Sequence, residues 1–159
     1  MPSMRRVLLP LRILLALLFA ALVAAQVGVL PAALRYLAEQ SPELATLRWP
    51  LLTFGVLELV CAQVVVACTW RLLAMVEDDR IFRAESSVWV DAILRAIVVA
   101  GLLLSGALVY TVVGRVPAGV PALLLVLLLV VAAVGLLVVV MRGLLRRATT
   151  LQADMEAVI

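Results

Sequence analysis

The sequence predicts an all-α, polytopic membrane protein: a four-transmembrane-helix bundle with a short interfacial outer loop and a cytoplasmic C-terminal helical tail. Three observations predict it. Apolar runs occupy residues 7–30, 51–75, 88–113 and 120–141, and ~20 apolar residues in a helix cross a bilayer core of about 30 Å. In lipid, each backbone amide must be satisfied within its own segment, so these runs must be helices. Of 159 residues, 67% are hydrophobic and mean hydropathy is +1.26. That leaves too little polar surface for a second, water-soluble domain, so residues 1–159 read as one transmembrane domain. Finally, the arginines, which are all 13 of the basic residues, gather on one side. With both termini cytoplasmic, Arg5, Arg6, Arg12, Arg71, Arg80, Arg83, Arg142, Arg146 and Arg147 lie inside, against Arg35, Arg48 and Arg115 outside, a positive-inside bias. Trp49 suits the outer interface, and Trp70 and Trp89 the inner one.

The first run follows Arg5 and Arg6 and ends near Val23-Ala24-Ala25, which imitates a signal peptide. It is long enough to span, so it reads as a retained helix. Ala16, Ala20, Ala24 and Gly28 recur every four residues along it. Ala92, Ala96 and Ala100 do the same in the third run, with Gly101 and Ser105 beside them. Small stripes let helices approach closely in lipid, and fit either an internal contact or a homodimer. The fourth run is mostly Leu and Val and is expected to face lipid.

Between the runs, the outer loop 31–50 carries Ser41-Pro42-Glu43, read as an N-cap, a first-turn proline and an early acid that start a short helix. Leu37, Leu44, Leu47 and Trp49 give that loop an apolar side for the membrane surface. The segment 114–119 is a tight turn that makes the third and fourth helices adjacent and antiparallel. On the inner side, 77–83 is a short charged loop containing Ile81-Phe82, and Ser86 and Ser87 are expected N-caps of the third helix. The tail, 142–159, has Leu144, Ala148, Leu151, Met155 and Val158 at steps of three or four, with Arg146, Arg147, Gln152 and Asp154 around the rest. Such a helix either lies back on the membrane or its own bundle, or docks a cytosolic partner through Leu144, Arg146, Arg147, Leu151 and Met155.

Inside the spans, Glu58 stands out. About eight residues from the outer end of its run, it lies ~12 Å deep. An ionisable group there costs roughly 2.5–3.5 kcal/mol and should face the bundle or a water-filled cavity. Ser105 lies at a similar depth, so a protonated Glu58 hydrogen-bonded to Ser105 is expected, either as proton or cation site or as polar glue. Gln26 and Tyr110 sit near the outer ends of their runs, and Gln63 one turn inward of Glu58 on another face. Asp91 and Arg95, four apart, are expected to pair near the inner end, with Arg12 joining them or snorkelling.

Enzymatic constellations are missing. Histidine is absent, removing the usual general base and the commonest metal ligand. Cys61 and Cys68 lie ~10.5 Å apart along a helix, too far for a disulfide or one shared metal ion. With no Gly-rich phosphate loop and no CxxC, no catalytic residue, metal or cofactor is expected. The net charge of +3 comes from arginines that orientation already explains, so no direct nucleic-acid binding is expected.

Two stretches carry a family resemblance. Asp79-Arg80-Ile81-Phe82 is followed by Trp89-Val90-Asp91, and the chain closes on a Leu-rich helix exit, Arg146-Arg147, an acidic stretch and Val158-Ile159. The chain thereby resembles the bacterial domain-of-unknown-function family twenty-nine seventy-five over essentially its whole length. The resemblance implies a four-helix protein of the bacterial cytoplasmic membrane, with no assigned catalytic residues. It also implies a frequent genetic neighbour, a small helix-turn-helix regulator of the Cro/repressor type. The expected function is a non-enzymatic membrane sensor or anchor acting with such a regulator. The alternatives are a small proton-coupled transporter working as a homodimer around Glu58, or an accessory subunit of a membrane complex.

Overall fold

A computed structural model describes residues 2–78 and 84–158. It contains α1 (Pro2–Ala24), a π-helical turn (Ala25–Val29), α2 (Leu30–Gln40), a 3-10 helix (Pro42–Leu47), α3 (Arg48–Glu77), α4 (Ala84–Val113) and α5 (Gly119–Val158), and no strand among the described residues. Four helical stretches are long and apolar enough to cross a membrane: Arg5–Gln40, Pro42–Glu77, Ser87–Val113 and Gly119–Val158. The expected all-α class with four span-length helices is therefore the observed one. Asp79, Arg80, Ile81, Phe82 and Arg83, most of the charged inner loop and part of the residues that carry the family resemblance, lie outside the described residues.

The boundaries refine the sequence reading. No loop begins at Pro31: the first helix runs on to Gln40 through the π turn. Leu30 N–H bonds Ala25 C=O, a wider ring than an α-helix makes, and it directly precedes a proline that has no N–H to give. Ser41 does precede a helix with Pro42 and Glu43 in its first turn, but the helix is 3-10 and the Ser41 side chain makes no cap bond. Ser86 and Ser87 are not N-caps, because α4 has already begun at Ala84.

The turn after α4 is as tight as expected. Arg115 takes a left-handed φ of 54°, while its N–H bonds Val112 C=O and that of Val116 bonds Thr111 C=O. This is a Schellman ending with arginine in the place usually held by glycine. Thr111, fully buried, and Val116, 7% exposed, pack where the motif brings the chain back on the helix.

Packing is strictly sequential. Close backbone approaches join α1 to α3, α3 to α4, and α4 to α5, whereas among the described residues no Cα pair within 8 Å links α1 to α4 or α5, or α3 to α5. The four helices form an open row with α3 and α4 in the middle. From Pro121 on, α5 has one half-buried stripe: Pro121, Leu124, Leu128, Val131, Gly135, Val138, Arg142, Leu145 and Thr149. These steps alternate three and four without a break, the repeat of a coiled-coil seam. At Gly135 an added Cβ would stand 3.0 Å from Ile97 Cγ2, so α5 and α4 meet closely there.

Candidate functional site

Both termini lie at one end of the row, where charged side chains tie neighbouring helices. Arg12 of α1 pairs with Glu77 of α3 at 2.6 Å and lies over Trp70, 5.8 Å from the ring centroid. Arg71 of α3 lies over Trp89 of α4 at 5.2 Å. Arg142 of α5 meets Asp91 of α4 at 2.7 Å. That approach is an ionic contact without hydrogen-bond alignment, since Asp91 Oδ1 has no hydrogen-bond partner. The expected Asp91–Arg95 pair does not form. Asp91 is taken by the neighbouring helix, and Arg95 stays exposed. Arg12 likewise belongs to Glu77 rather than to Asp91. An i,i+4 spacing permits an ion pair within one helix, but contact with the adjacent helix decides it here.

The antiparallel register that Arg12–Glu77 sets also fixes the middle. Fourteen residues on along α1 is Gln26, and fourteen back along α3 is Gln63; their amides bond at 2.9 Å. Gln26 therefore lies at mid-depth, opposite the midpoint of α3, not near the outer end of its span. It sits in the π turn, which is flanked by Ala24 and contains Gly28. The sequence alone does not join the two glutamines. The signal that could have joined them was this shared distance from Arg12 and Glu77.

Glu58 lies five residues, about 7.5 Å, from Gln63 along α3 toward the far end. Its Oε2 is buried and has no hydrogen-bond partner. The expected bond to Ser105 is absent, because the Ser105 hydroxyl donates to the Gly101 carbonyl of its own helix at 2.8 Å. Gly106, the next residue, is the one that faces α3, with its Cβ position 3.4 Å from Phe54. Ser105 is turned ~100° away from that contact. Tyr110 stacks at a tilt on Phe54, centroids 6.4 Å apart, and adds no polar strip. Cys61 is half-buried and Cys68 buried, and both are free thiols.

The tail continues α5 with no break at Met141. Its first two turns stay on the seam against α4, through Arg142, Leu145 and Thr149. Beyond Thr149 every described residue is exposed. The tail therefore does not fold back on its own bundle. Leu144 is 60%, Leu151 65% and Met155 72% exposed; all three face away from α4, and Arg146 and Arg147 are exposed beside them.

A family profile described as protein of unknown function, DUF2975, matches residues 32–159. The chain belongs to this family. The DUF2975 match takes in α2, α3, α4, α5 and the tail, and begins where α1 and its π turn have ended. The four spans of this DUF2975 protein are thus unequal: three lie in the family region, and the fourth, α1, packs on α3 alone among the other span helices. No curated protein and no solved structure matches the chain.

Proposed function

We propose that this DUF2975 protein is a non-enzymatic membrane anchor whose exposed tail holds a small cytosolic protein. The helix-turn-helix regulator implied by the family resemblance is the expected partner. One observation supports the reading above the rest: Leu144, Leu151 and Met155 form an apolar face on a helix that outruns every other element and is covered by none of them. In water such a face has reason to be covered, and the arginine count puts it on the cytoplasmic side. Arg142–Asp91 and the seam to Thr149 fix the base of the tail, so a change in how α4 and α5 pack would be passed to the bound protein. That is how an anchor becomes a sensor.

The test is the localisation of the neighbouring regulator, fused to a fluorophore, in cells carrying the full chain or a chain ending at Gly143. Membrane localisation lost on truncation, with target transcription changed, is the expected result. A regulator equally distributed in both strains ends the proposal. A second reading has its own observation, the unpartnered carboxylate oxygen of Glu58 in the span. It would make the chain a proton-coupled transporter, and proton flux unaltered by Glu58→Gln in proteoliposomes would dispose of it.

A further inference from the structure

Ten acids and 13 arginines leave some guanidinium groups without a carboxylate. Two of these lie within spans. Arg71 has a ring beneath it but no acidic partner, and Arg95 has neither ion pair nor hydrogen bond among the described residues. Of the described acids at this end, Glu77 and Asp91 are taken by Arg12 and Arg142, and Asp78, two turns beyond Arg71 along α3, pairs with neither arginine.

Their placement brings the two together. Arg71 ends an exposed stripe on α3 made by Thr53, Leu57, Val60, Val64, Ala67 and Arg71. Arg95 lies on the exposed stripe of α4 that includes Val88, Leu102 and Val109. Contact with Trp89 sets Arg71 level with that residue, six positions before Arg95. A helical side chain leaves its backbone tilted toward the helix N-terminus. The helices are antiparallel, so Arg71 leans toward the far end and Arg95 toward the termini end, and each side chain is directed into the gap between their levels. Ala92 stands between Trp89 and Arg95 at steps of three, and its single methyl leaves that gap open. The level is that of Arg12–Glu77 and Asp91–Arg142, the charged rim where a bilayer's headgroups meet a span.

We infer that Arg71, Trp89 and Arg95 form a binding site for the phosphate of one anionic phospholipid. Two guanidinium forks present parallel N–H donors to phosphate oxygens. Trp89 holds Arg71 in place and takes the glycerol region against its ring edge, as interfacial tryptophans do. A zwitterionic lipid brings its own cation to the same phosphate, which two arginines repel. The occupant is therefore an anionic lipid such as phosphatidylglycerol. This inference does not depend on the tail having a partner.

The test is native mass spectrometry of the full-length protein, released from micelles containing equal phosphatidylglycerol and phosphatidylcholine. One phosphatidylglycerol should be retained in preference by about tenfold, the scale of one charge-assisted hydrogen bond. Arg71→Gln and Arg95→Gln should each reduce that preference, and the double variant should abolish it. The paired change Arg146→Gln, Arg147→Gln removes as much charge from the tail and should leave the preference intact. Both arginines are exposed, so an unchanged thermal midpoint in phosphatidylcholine verifies that the variants fold. Three results would each overturn the site: no preference in the wild type, equal loss in the tail variant, or displacement of the lipid by millimolar inorganic phosphate.

Discussion

Two stripes of small residues, equal in the sequence, are used in opposite ways. Ala96 and Ala100 of α4 are 9% and 8% exposed, with Ala92 half-buried above them. Ala16, Ala20, Ala24 and Gly28 of α1 are all exposed. The difference comes from position in the row. α4 has a neighbour on each side, and its alanines let α3 and α5 approach. α1 has α3 alone, and it meets that helix through larger side chains: Leu15, packed with Val66 and Leu73, and Leu8 and Leu22 around them. A small-residue stripe thus marks where close approach is allowed. Whether it is used depends on how many neighbours the helix has.

Enlarging one residue in each stripe is the strongest way to break this comparison. Ala100→Leu forces three extra carbons into a filled contact and should destabilise the protein by about 1–3 kcal/mol. Ala20→Leu adds the same atoms to an exposed face and should stay within about 0.5 kcal/mol. Unfolding in micelles, followed by tryptophan fluorescence, measures both. Equal losses would show that the α1 stripe is also packed, against a second copy.

The Gln26–Gln63 bond allows a smaller and more selective test, because it is the polar contact that holds the flank helix to the centre at mid-depth. Gln63→Leu strands the Gln26 amide and should cost about 0.6–1.7 kcal/mol, the range for hydrogen bonds between spans. The double variant Gln26→Leu, Gln63→Leu removes both polar groups and should recover part of the loss. A double variant as unstable as the sum of the single ones would mean that the two amides act independently.

How much of this was legible in the sequence follows the range of each interaction. Apolar run length is a local property, and it located all four span-length helices and the tight turn at 114–119. Which side chains meet across helices is not local. Asp91–Arg95 satisfied helical spacing yet lost to Arg142, which is 51 residues away in the chain. Ser105 shared a depth with Glu58 but not a direction, because depth comes from counting residues whereas direction depends on which neighbour the helix packs against. Pro31 read as a break because proline ends an ordinary helix; the π turn before it, which takes up the missing bond, has no sequence signal apart from Gly28 and the proline itself. In the tail the periodicity was legible, including the residues that remain uncovered. What could not be read was the second stripe, Arg142, Leu145 and Thr149, by which the tail's first turns stay on α4.

That docked segment sets up the finest comparison, between residues 142–149, held on α4, and 150–158, where every residue is exposed. The tie is Arg142–Asp91, whose side chains are 27% and 36% exposed. Pairs so accessible to solvent contribute less than about 1 kcal/mol and weaken with salt. Asp91→Asn should therefore leave the global unfolding transition almost unmoved. Its effect should be local: amide hydrogen exchange should quicken over 142–149, where the seam frays, and stay as it was over 150–158, where there is no contact to lose. Raising salt on the wild-type protein should have the same effect in the same segment. If exchange instead quickened across the whole tail, the two parts would be one cooperative unit, and a protein bound beyond Thr149 could report directly on the Asp91 contact. If neither segment responded, the apolar seam alone would hold the tail, and the ion pair would serve only to place Arg142 at the membrane edge.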